Sequence, residues 1–238
     1  QEGAKGAFAC HTAWLCQRTE YFKLMFGTER DGNALIPPSR LGDLGGVASS
    51  EGEGEGEVGA QVVCLSGIDS ETLETLIHWI YSDTLREPSS LDDNEEDEED
   101  EVEGGEGDLR AAAGQRRQQR RLNHLVKVLL CANFFLCDGL KTLAAQQLAA
   151  HFVSPQTCVA LLSLSLAAHC DRLYDEALLE CTRHLLDLPP EDCAVLKDLV
   201  RESAAQVQAR QDVDTIELVD DLRYLISQLH HNPGGGGG

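Results

Sequence analysis

The sequence predicts an α+β protein that is predominantly helical. Of its 22 glycines, 16 lie in two acid-rich segments or in the terminal run, which leaves the rest of the chain poor in helix breakers. From residue 122 onward, leucines recur at helical spacing in one segment after another. Only two short segments of the first half, residues 7–11 and 61–65, have the composition of strands.

Length and charge limit the classes of protein that fit this chain. Its 238 residues, 42% hydrophobic and 25% charged, match one domain with a partner module or two small domains, and exclude a large catalytic barrel. The formal net charge of −22 is localised, because residues 51–57 and 87–108 hold 17 of the 41 acidic residues. We therefore assign the acidity to two loops. We expect no direct nucleic-acid partner, since phosphate backbones need a cationic face.

The cysteines and apolar runs indicate the cellular compartment. Most of the nine cysteines, such as Cys64 and Cys131, lie in apolar segments, and no Cys-x-x-Cys pair occurs. We expect reduced thiols that fill the core of a cytosolic or nuclear protein. The longest uncharged segment, residues 142–170, is interrupted by polar residues, and no apolar signal opens the chain, so we expect no membrane partner. Because the chain begins at Gln1 and ends in glycines, we expect a fragment or a processed piece of a longer protein.

The first half predicts short elements around a solvated insertion. A strand at residues 7–11 leads into Thr12–Phe26, which predicts two short helices in a hairpin with Thr19 as the N-cap of the second. An insertion at about residues 28–60 precedes the β-branched strand at 61–65.

A helix follows that strand and ends at a second insertion. Asp69 or Ser70 caps the helix, whose apolar stripe is Leu73, Leu76, Ile77 and Ile80.

The second insertion, at about residues 86–121, is acidic first and basic afterwards. Its basic run, Arg116–Arg121, has two interpretations: a nuclear import signal, or the solvated approach to the next helix. The run is also close to the acidic residues 95–101, which favours a loose pairing that salt would weaken.

The second half predicts a series of antiparallel helices with short connections. Ser154–Pro155 is expected to open one of them, and Pro189–Pro190 to stop another. The last begins near residues 214–217 with an acidic cap. The stripes that define these helices contain, in order, Leu122, Leu125 and Leu129; Leu140, Leu143, Ala144 and Leu148; Val159, Leu162 and Leu166; Tyr174, Leu178, Cys181 and Leu185; Cys193, Leu196 and Val200; and Leu218, Leu222, Leu225 and Leu229.

Several segments together resemble the BTB/POZ family. Phe8-Ala9-Cys10-His11, Leu15 and the run Thr19–Phe26 resemble its strand and helical hairpin, and Leu65–Asp69 with the helix ending Ile80-Tyr81-Ser82 resembles its next strand and helix. Residues 130–141 are similar to its last helical hairpin, with Phe135 where the family has Tyr. The helices after residue 154 look like the BACK module that often follows.

The resemblance implies a domain organisation. A BTB/POZ domain, with a small sheet and helical hairpins, would occupy residues 1–151 with the two insertions at about 28–60 and 86–121. It would lack the usual first strand, which should precede residue 8. A BACK-like helical module would occupy 152–231 and a glycine tail 232–238.

The resemblance also implies a function. It is that of a non-catalytic adaptor, cytoplasmic or nuclear, that recruits an unknown protein substrate to a cullin-3-type RING ubiquitin ligase. The alternative is an oligomerisation or scaffold module of a transcriptional or cytoskeletal regulator without ligase attachment. The implied cullin-binding groove consists of Met25, Phe26, Tyr81, Asn133, Phe134 and Phe135. The implied homodimer face consists of Ala13, Trp14, Cys16 and Gln17.

The sequence gives no motif for catalysis, a cofactor or a metal. Walker, His-Glu-x-x-His and Gly-x-Ser-x-Gly patterns do not occur. Cys181 and His184, with His169 and Cys170 earlier, are the nearest group to metal ligands, but helical packing around thiols explains them more simply. We therefore expect no enzyme, no cofactor and no metal.

Overall fold

The computed structural model describes residues 8–26, 45–48, 62–65, 67–88, 106–209 and 217–231. In these ranges the chain is predominantly helical, as its sequence predicts. The strands are β1 (Gly45–Ala48) and β2 (Val62–Leu65). The helices are α1 (Thr12–Arg18), α2 (Glu20–Phe26), α3 (Ser70–Ser82), α4 (Glu106–Phe134), α5 (Asp138–Phe152), α6 (Cys158–Ala168), α7 (Asp171–Arg183), α8 (Pro190–Ala209) and α9 (Glu217–His231).

The chain divides into two compact units, Gln1–Lys141 and Thr142–Gly238. This division falls within α5, so the helix begins in the first unit and continues in the second. The predicted domains 1–151 and 152–231 stay predictions, and the glycine tail lies outside the described residues.

The strands β1 and β2 form an antiparallel pair, with Gly45 opposite Leu65 and Ala48 opposite Val62. β2 confirms the strand predicted at 61–65. β1 lies inside the insertion that is predicted at 28–60. The expectation of a solvated loop is wrong for these four residues, because their backbone forms hydrogen bonds with β2. This pair is the only sheet that the described ranges contain, so the small BTB sheet stays a prediction.

The hairpin of α1 and α2 confirms the two short helices that the sequence predicts. Thr19 lies between them, and its hydroxyl accepts a hydrogen bond from the Phe22 amide at 3.2 Å, as an N-cap does. The strand expected at residues 7–11 is wrong where the structure describes it, since Phe8–His11 has no regular structure. The carbonyl of His11 instead accepts the first amide hydrogen bonds of α1, from Trp14 and Leu15.

The helix α3 is capped by Asp69, one of the two caps that the sequence predicts. The Asp69 carboxylate accepts a hydrogen bond from the Thr72 amide at 2.9 Å. Leu76, Trp79 and Ile80 are buried on its inner side. A Cβ at Gly139, in the first turn of α5, would lie 2.7 Å from the Trp79 ring, so only glycine permits this approach.

The helix α4 begins earlier than the sequence predicts. It starts at Glu106, so the insertion expected at 86–121 is helical in its basic half, which is rich in the helix formers Ala, Gln and Arg. Residues 112–120 are nevertheless exposed, as expected for a solvated segment. Leu125, Val128 and Leu129 on the later turns are buried.

The second unit contains the helices that follow α5, with one boundary shifted. Ser154 does not cap α6, which begins at Cys158; the Ser154 carbonyl accepts the amides of Thr157 and Cys158, so a turn precedes the helix. Pro190 is the first residue of α8, a position that suits proline because no amide is needed there. The Tyr174 hydroxyl donates to Asp221 Oδ2 at 2.8 Å and joins α7 to α9.

Cysteines contribute to both cores. Cys131 and Cys137 are buried in the first unit and Cys158, Cys170 and Cys181 in the second, which confirms that these thiols fill the core. Burial raises the pKa of Cys131 and of Cys137 to about 12. Among the described residues, no helix combines the length and apolarity needed to cross a bilayer.

Candidate protein-interaction surface

Five aromatic rings join α2 to the end of α4. The Phe135 ring centroid lies 4.9 Å from that of Tyr21 and 5.3 Å from that of Phe22. Phe134 lies 5.4 Å from Tyr21, and Phe26 stacks on Phe22 at 5.9 Å. Edge-to-face and stacked pairs at these distances are favourable, so the cluster fixes α2 against the end of α4.

Phe135 is at the centre of this cluster and is completely buried. Its ring therefore belongs to the core, and the expectation that it lines a surface groove is wrong. The physical reason is that Tyr21 and Phe22 of α2 pack on the Phe135 ring, where the sequence predicts an exposed helix tip. Phe134 does reach the surface, with 39% of its area exposed.

The end of α4 has an uncommon residue in a common helix-ending motif. The Cys137 amide donates to the Ala132 carbonyl at 2.8 Å and the Leu136 amide to the Asn133 carbonyl at 3.3 Å, which is the Schellman pattern. Leu136 occupies the left-handed position at φ 55°, where glycine is usual. Its side chain is 53% exposed, so the turn presents a leucine to solvent.

Four large apolar side chains of α2 and of the end of α4 are exposed, and we call them the apolar surface. Leu130 and Phe134 are one turn apart on α4, and Leu136 follows the helix. Leu24 lies one turn after Tyr21 on α2, and the Tyr21 ring contacts Phe134. The apolar surface thus consists of Leu24, Leu130, Phe134 and Leu136, all of them large and exposed.

The other predicted groove residues lie near this surface or outside it. Met25 and Phe26, at the end of α2, are half-buried. Asn133 is half-buried, and its side-chain oxygen accepts a hydrogen bond from Lys141 at 3.4 Å. Tyr81 belongs to a different group of side chains.

Tyr81 packs on α1. Its hydroxyl accepts the His11 amide at 2.8 Å and lies 2.9 Å from His11 Nδ1. Its ring lies 5.9 Å from that of Trp14. The contacts of the described residues place Tyr81 with α1 and Phe135 with α2.

Arg18 anchors α1 to the end of α3 beside Tyr81. Its Nε donates to the Ile80 carbonyl at 3.3 Å, and it forms an ion pair with Asp83. The guanidinium lies 5.6 Å from the Trp79 ring centroid, within range of a cation–π contact.

Most of the predicted homodimer face is exposed. Ala13, Trp14 and Gln17 on α1 are exposed. Cys16 is half-buried, its thiol donates to the Phe22 carbonyl, and burial raises its pKa. The face stays a prediction.

Sequence reasoning missed three members of the apolar surface. Leu24, Leu130 and Leu136 belong to segments that resemble the BTB/POZ family, and their exposure was not predicted. No short-range signal distinguishes the exposed Leu136 from Phe135 and Cys137, its buried neighbours in the turn that follows α4.

His124 was also missed, and it lies buried between α4 and α3. Its Nε2 is 3.3 Å from the Thr75 hydroxyl, which itself donates to the Glu71 carbonyl. Burial lowers the pKa of His124, and the negative charges of Glu71 and Asp69 oppose that effect only in part.

Asp69 carries a second role besides its cap. Burial alone would raise its pKa, but hydrogen bonds from Thr72 and Lys127 outweigh burial and lower it. Its ion pair with Lys127, at 3.2 Å, links the start of α3 to α4.

The four residues predicted as the nearest group to metal ligands have different environments. Cys181 is buried beside Cys158, and His184 faces Glu180 at 3.4 Å. Cys170 is buried and His169 exposed. Within the part of the chain that the structure describes, no three His, Cys, Asp or Glu residues form a group that could hold a metal ion.

Comparison with known proteins gives two partial matches. No protein-family model matches the chain. It is 25% identical over 230 residues to an ankyrin repeat-containing protein of Saccharomyces cerevisiae, covering 95% of this chain and 36% of that protein. It is 51% identical over 45 residues to BTB/POZ domain-containing protein 3 of Schizosaccharomyces pombe, covering 19% of this chain and 8% of that protein.

The short match supports the BTB/POZ resemblance in part. It is a similarity over 45 residues to a protein named for that domain. The chain spans about a third of the length of the first relative and less than a tenth of the second. The activities and partners of those whole proteins are therefore not transferred to this chain, and the BACK resemblance stays a prediction.

Proposed function

We propose that this chain is a protein-interaction adaptor of the BTB/POZ type that binds a cullin-3-type scaffold and so brings a protein substrate to a RING ubiquitin ligase. The observation that carries the proposal is the apolar surface of Leu24, Leu130, Phe134 and Leu136 at the end of α4. The partial BTB/POZ similarity supports it. The adaptor acts by raising the local concentration of a substrate beside the ligase and makes or breaks no bond itself.

Physical properties of the apolar surface support a docking role. Large apolar side chains at the centre of an interface carry most of its binding free energy, and aromatic rings are frequent among them. Phe134 is held in place by Tyr21 and Phe135, so it loses little side-chain freedom when a partner binds. The aromatic cluster thus holds the exposed ring of Phe134 in place.

The test is recovery of purified cullin-3 by the 238-residue chain. The double variant Leu130→Ser, Leu136→Gly removes exposed side chains from the apolar surface without entering the core. We expect it to lose at least tenfold in affinity, while the matched control Leu186→Ser binds as the parent does. Leu186 is a suitable control because it is an exposed leucine, 98% accessible, in the other unit.

Two results would contradict the proposal, the first for the apolar surface and the second for the ligase role. One is unchanged binding by the double variant with equal circular dichroism, which would remove the apolar surface from the interface. The other is no cullin binding by the parent chain at any concentration that biosensor measurements reach.

Self-association is a second candidate function, and the exposed ring of Trp14 favours it. Trp14 is 45% exposed on α1, where Ala13 and Gln17 are exposed as well. An aromatic side chain on an otherwise small and polar face is typical of an interface anchor. Under this alternative the chain is a scaffold module without ligase attachment. Light scattering should then give a dimer mass for the parent chain and a monomer mass for Trp14→Glu; a monomeric parent would exclude it.

A further inference from the structure

A short segment returns from the end of α3 along the same helix, and we call residues 84–88 the strap. The Thr84 hydroxyl lies 3.0 Å from His78 Nε2, in the second half of α3. The Arg86 guanidinium forms an ion pair with Glu74, one turn earlier in that helix. The strap therefore runs antiparallel to α3.

The strap also contacts α4. Glu87 Oε1 lies 3.0 Å from Arg121 Nη2. About one turn later on α4, the ring of His124 forms a hydrogen bond with the backbone of Arg86. Because the strap is bonded to both helices, it lies over the seam between α3 and α4. Its last residue, Pro88, is buried.

His124 lies at this seam and is only 4% exposed. Its Nε2 is 3.3 Å from the Thr75 hydroxyl of α3. The hydrogen bond with Arg86 favours the charged ring, so the acceptor in that bond is the Arg86 carbonyl. A neutral imidazole has one donor and one acceptor nitrogen, so it can bond a carbonyl and a hydroxyl at once without carrying a charge. The neutral ring thus joins α3, α4 and the strap.

The charges around His124 act in opposite directions on its protonation. The charged groups around the ring are Glu71 and Asp69 at the start of α3, Lys127 on α4, and the ion pairs Arg86–Glu74 and Glu87–Arg121 of the strap. The two carboxylates of α3 favour the protonated ring and Lys127 opposes it. Burial has the largest effect and lowers the pKa of His124 below its ordinary value.

The other contacts of the strap are weak. The side chains of Arg86 and Glu74 are each 38% exposed, and that of Glu87 is 59% exposed. Ion pairs at such exposure contribute little stability. Opening the strap therefore costs less than unfolding the first unit, and it brings the His124 ring into contact with water.

We propose that the strap is released by a proton: neutral His124 holds it on the seam of α3 and α4, and protonation of the ring frees it. Acid favours whichever state binds the proton more tightly. In the open state the ring is in water and has its ordinary pKa of 6.5, whereas burial lowers the pKa in the closed state. The contribution of His124 to closure is complete above the ordinary value and is lost as the pH falls through the closed-state pKa. This inference does not depend on the proposed ligase function.

The test is trypsin cleavage after Arg86 in the folded 238-residue chain, at pH 7.5 and at pH 5.5. Mass spectrometry gives the initial cleavage rate, which is divided by the rate for a free peptide of residues 82–92, so that the pH dependence of the protease cancels. Cleavage of a folded chain under these conditions measures the population of the open state. His124→Gln is the matched variant, because glutamine forms hydrogen bonds but does not titrate.

We expect the normalised rate of the parent to rise about three- to tenfold between pH 7.5 and pH 5.5, since a ring with the ordinary pKa is protonated in this range. The rate for His124→Gln should change by less than about twofold. Glu74→Gln, which removes the ion pair of Arg86, should raise cleavage at both pH values and keep the pH ratio of the parent. Cleavage after Lys127 should stay unchanged, because α4 remains folded.

Three results overturn the proposal. One is a normalised rate of the parent that does not rise on acidification. Another is the same pH ratio in the parent and in His124→Gln, which would mean that a different group controls the strap. The third is a parallel rise of cleavage after Lys127, which would mean that the first unit opens as a whole and the strap has no open state of its own.

Discussion

Leu136 combines an unfavourable backbone conformation with an exposed side chain. For a residue with a Cβ the left-handed region costs about 1–2 kcal/mol, whereas glycine adopts it freely. A leucine that is half exposed contributes little burial in return. Strain of this kind is frequent at ligand contacts, which agrees with the role that we propose for the apolar surface.

Replacing Leu136 by glycine should therefore raise the stability of the chain, although it removes a side chain from the apolar surface. We expect Leu136→Gly to raise the free energy of unfolding by about 0.5–1 kcal/mol, because the strain disappears. The matched change Leu130→Gly, inside α4, should lower it by about 1 kcal/mol. Urea unfolding followed by circular dichroism measures both. A loss of stability in Leu136→Gly would contradict the strain argument.

Phe135 should behave as a core residue. Phe135→Ala leaves a cavity among Tyr21, Phe22 and Phe134, so we expect it to lower the free energy of unfolding by about 3–5 kcal/mol. Tyr81→Ala, which removes a half-exposed ring, should lower it by less. Thermal denaturation of the two variants distinguishes them, and equal effects would mean that Phe135 is not packed as described.

His124 should make stability depend on pH. Burial holds its folded pKa below the ordinary value of 6.5, so the fold favours the neutral ring. Its contribution is complete above that value and is lost as the pH falls through the folded pKa. Glu71 and Asp69 on α3 and Lys127 on α4 are the charges that face it.

The corresponding measurement compares urea unfolding at pH 7.5 and pH 5.5. The parent chain should lose more stability on acidification than His124→Gln, which keeps a hydrogen-bond donor for Thr75 but does not titrate. Equal losses in the two chains would show that His124 does not control this pH range.

At the scale of elements, the start of α3 depends on a cap that is also an ion pair. Asp69 accepts the Thr72 amide and pairs with Lys127 of α4. Asp69→Ala removes both interactions and should cost about 1–2 kcal/mol, whereas Asp69→Asn keeps a good cap and should cost less. Chemical denaturation at low and high salt separates the two effects, since only the ion pair is screened. A larger cost for Asn than for Ala would contradict this assignment.

Local chemistry predicted most of the elements. Thr19 and Asp69 as caps, β2 and the helical second half all follow from short-range patterns that the structure confirms. The predictions failed where the structure of a segment depends on a pairing partner far along the chain. β1 exists because it pairs with β2, and residues 8–11 lack such a partner in the described ranges.

The candidate site was predicted less well than the fold for the same reason. Phe134 and Phe135 are adjacent, and no sequence pattern indicates which ring the hairpin of α1 and α2 covers. Tyr81 and Phe135 were assigned to one groove because both end a helix-like segment. Their actual neighbours, on α1 and α2 respectively, are tertiary contacts.

At the scale of the whole molecule, charge and apolar surface are separated along the chain. Most of the excess acidity lies in the insertions, whereas the apolar surface is built from α2 and the end of α4. A partner that binds the apolar surface therefore needs little charge complementarity at its centre, and its binding should depend only weakly on salt.

Amide hydrogen exchange of the full chain, with and without purified cullin-3, tests the central claim most directly. We predict slower exchange on binding at residues 20–26 and 128–137, where the apolar surface lies, and unchanged exchange in α8. Protection confined to α8 and α9, or no protection at saturating cullin, would contradict the account.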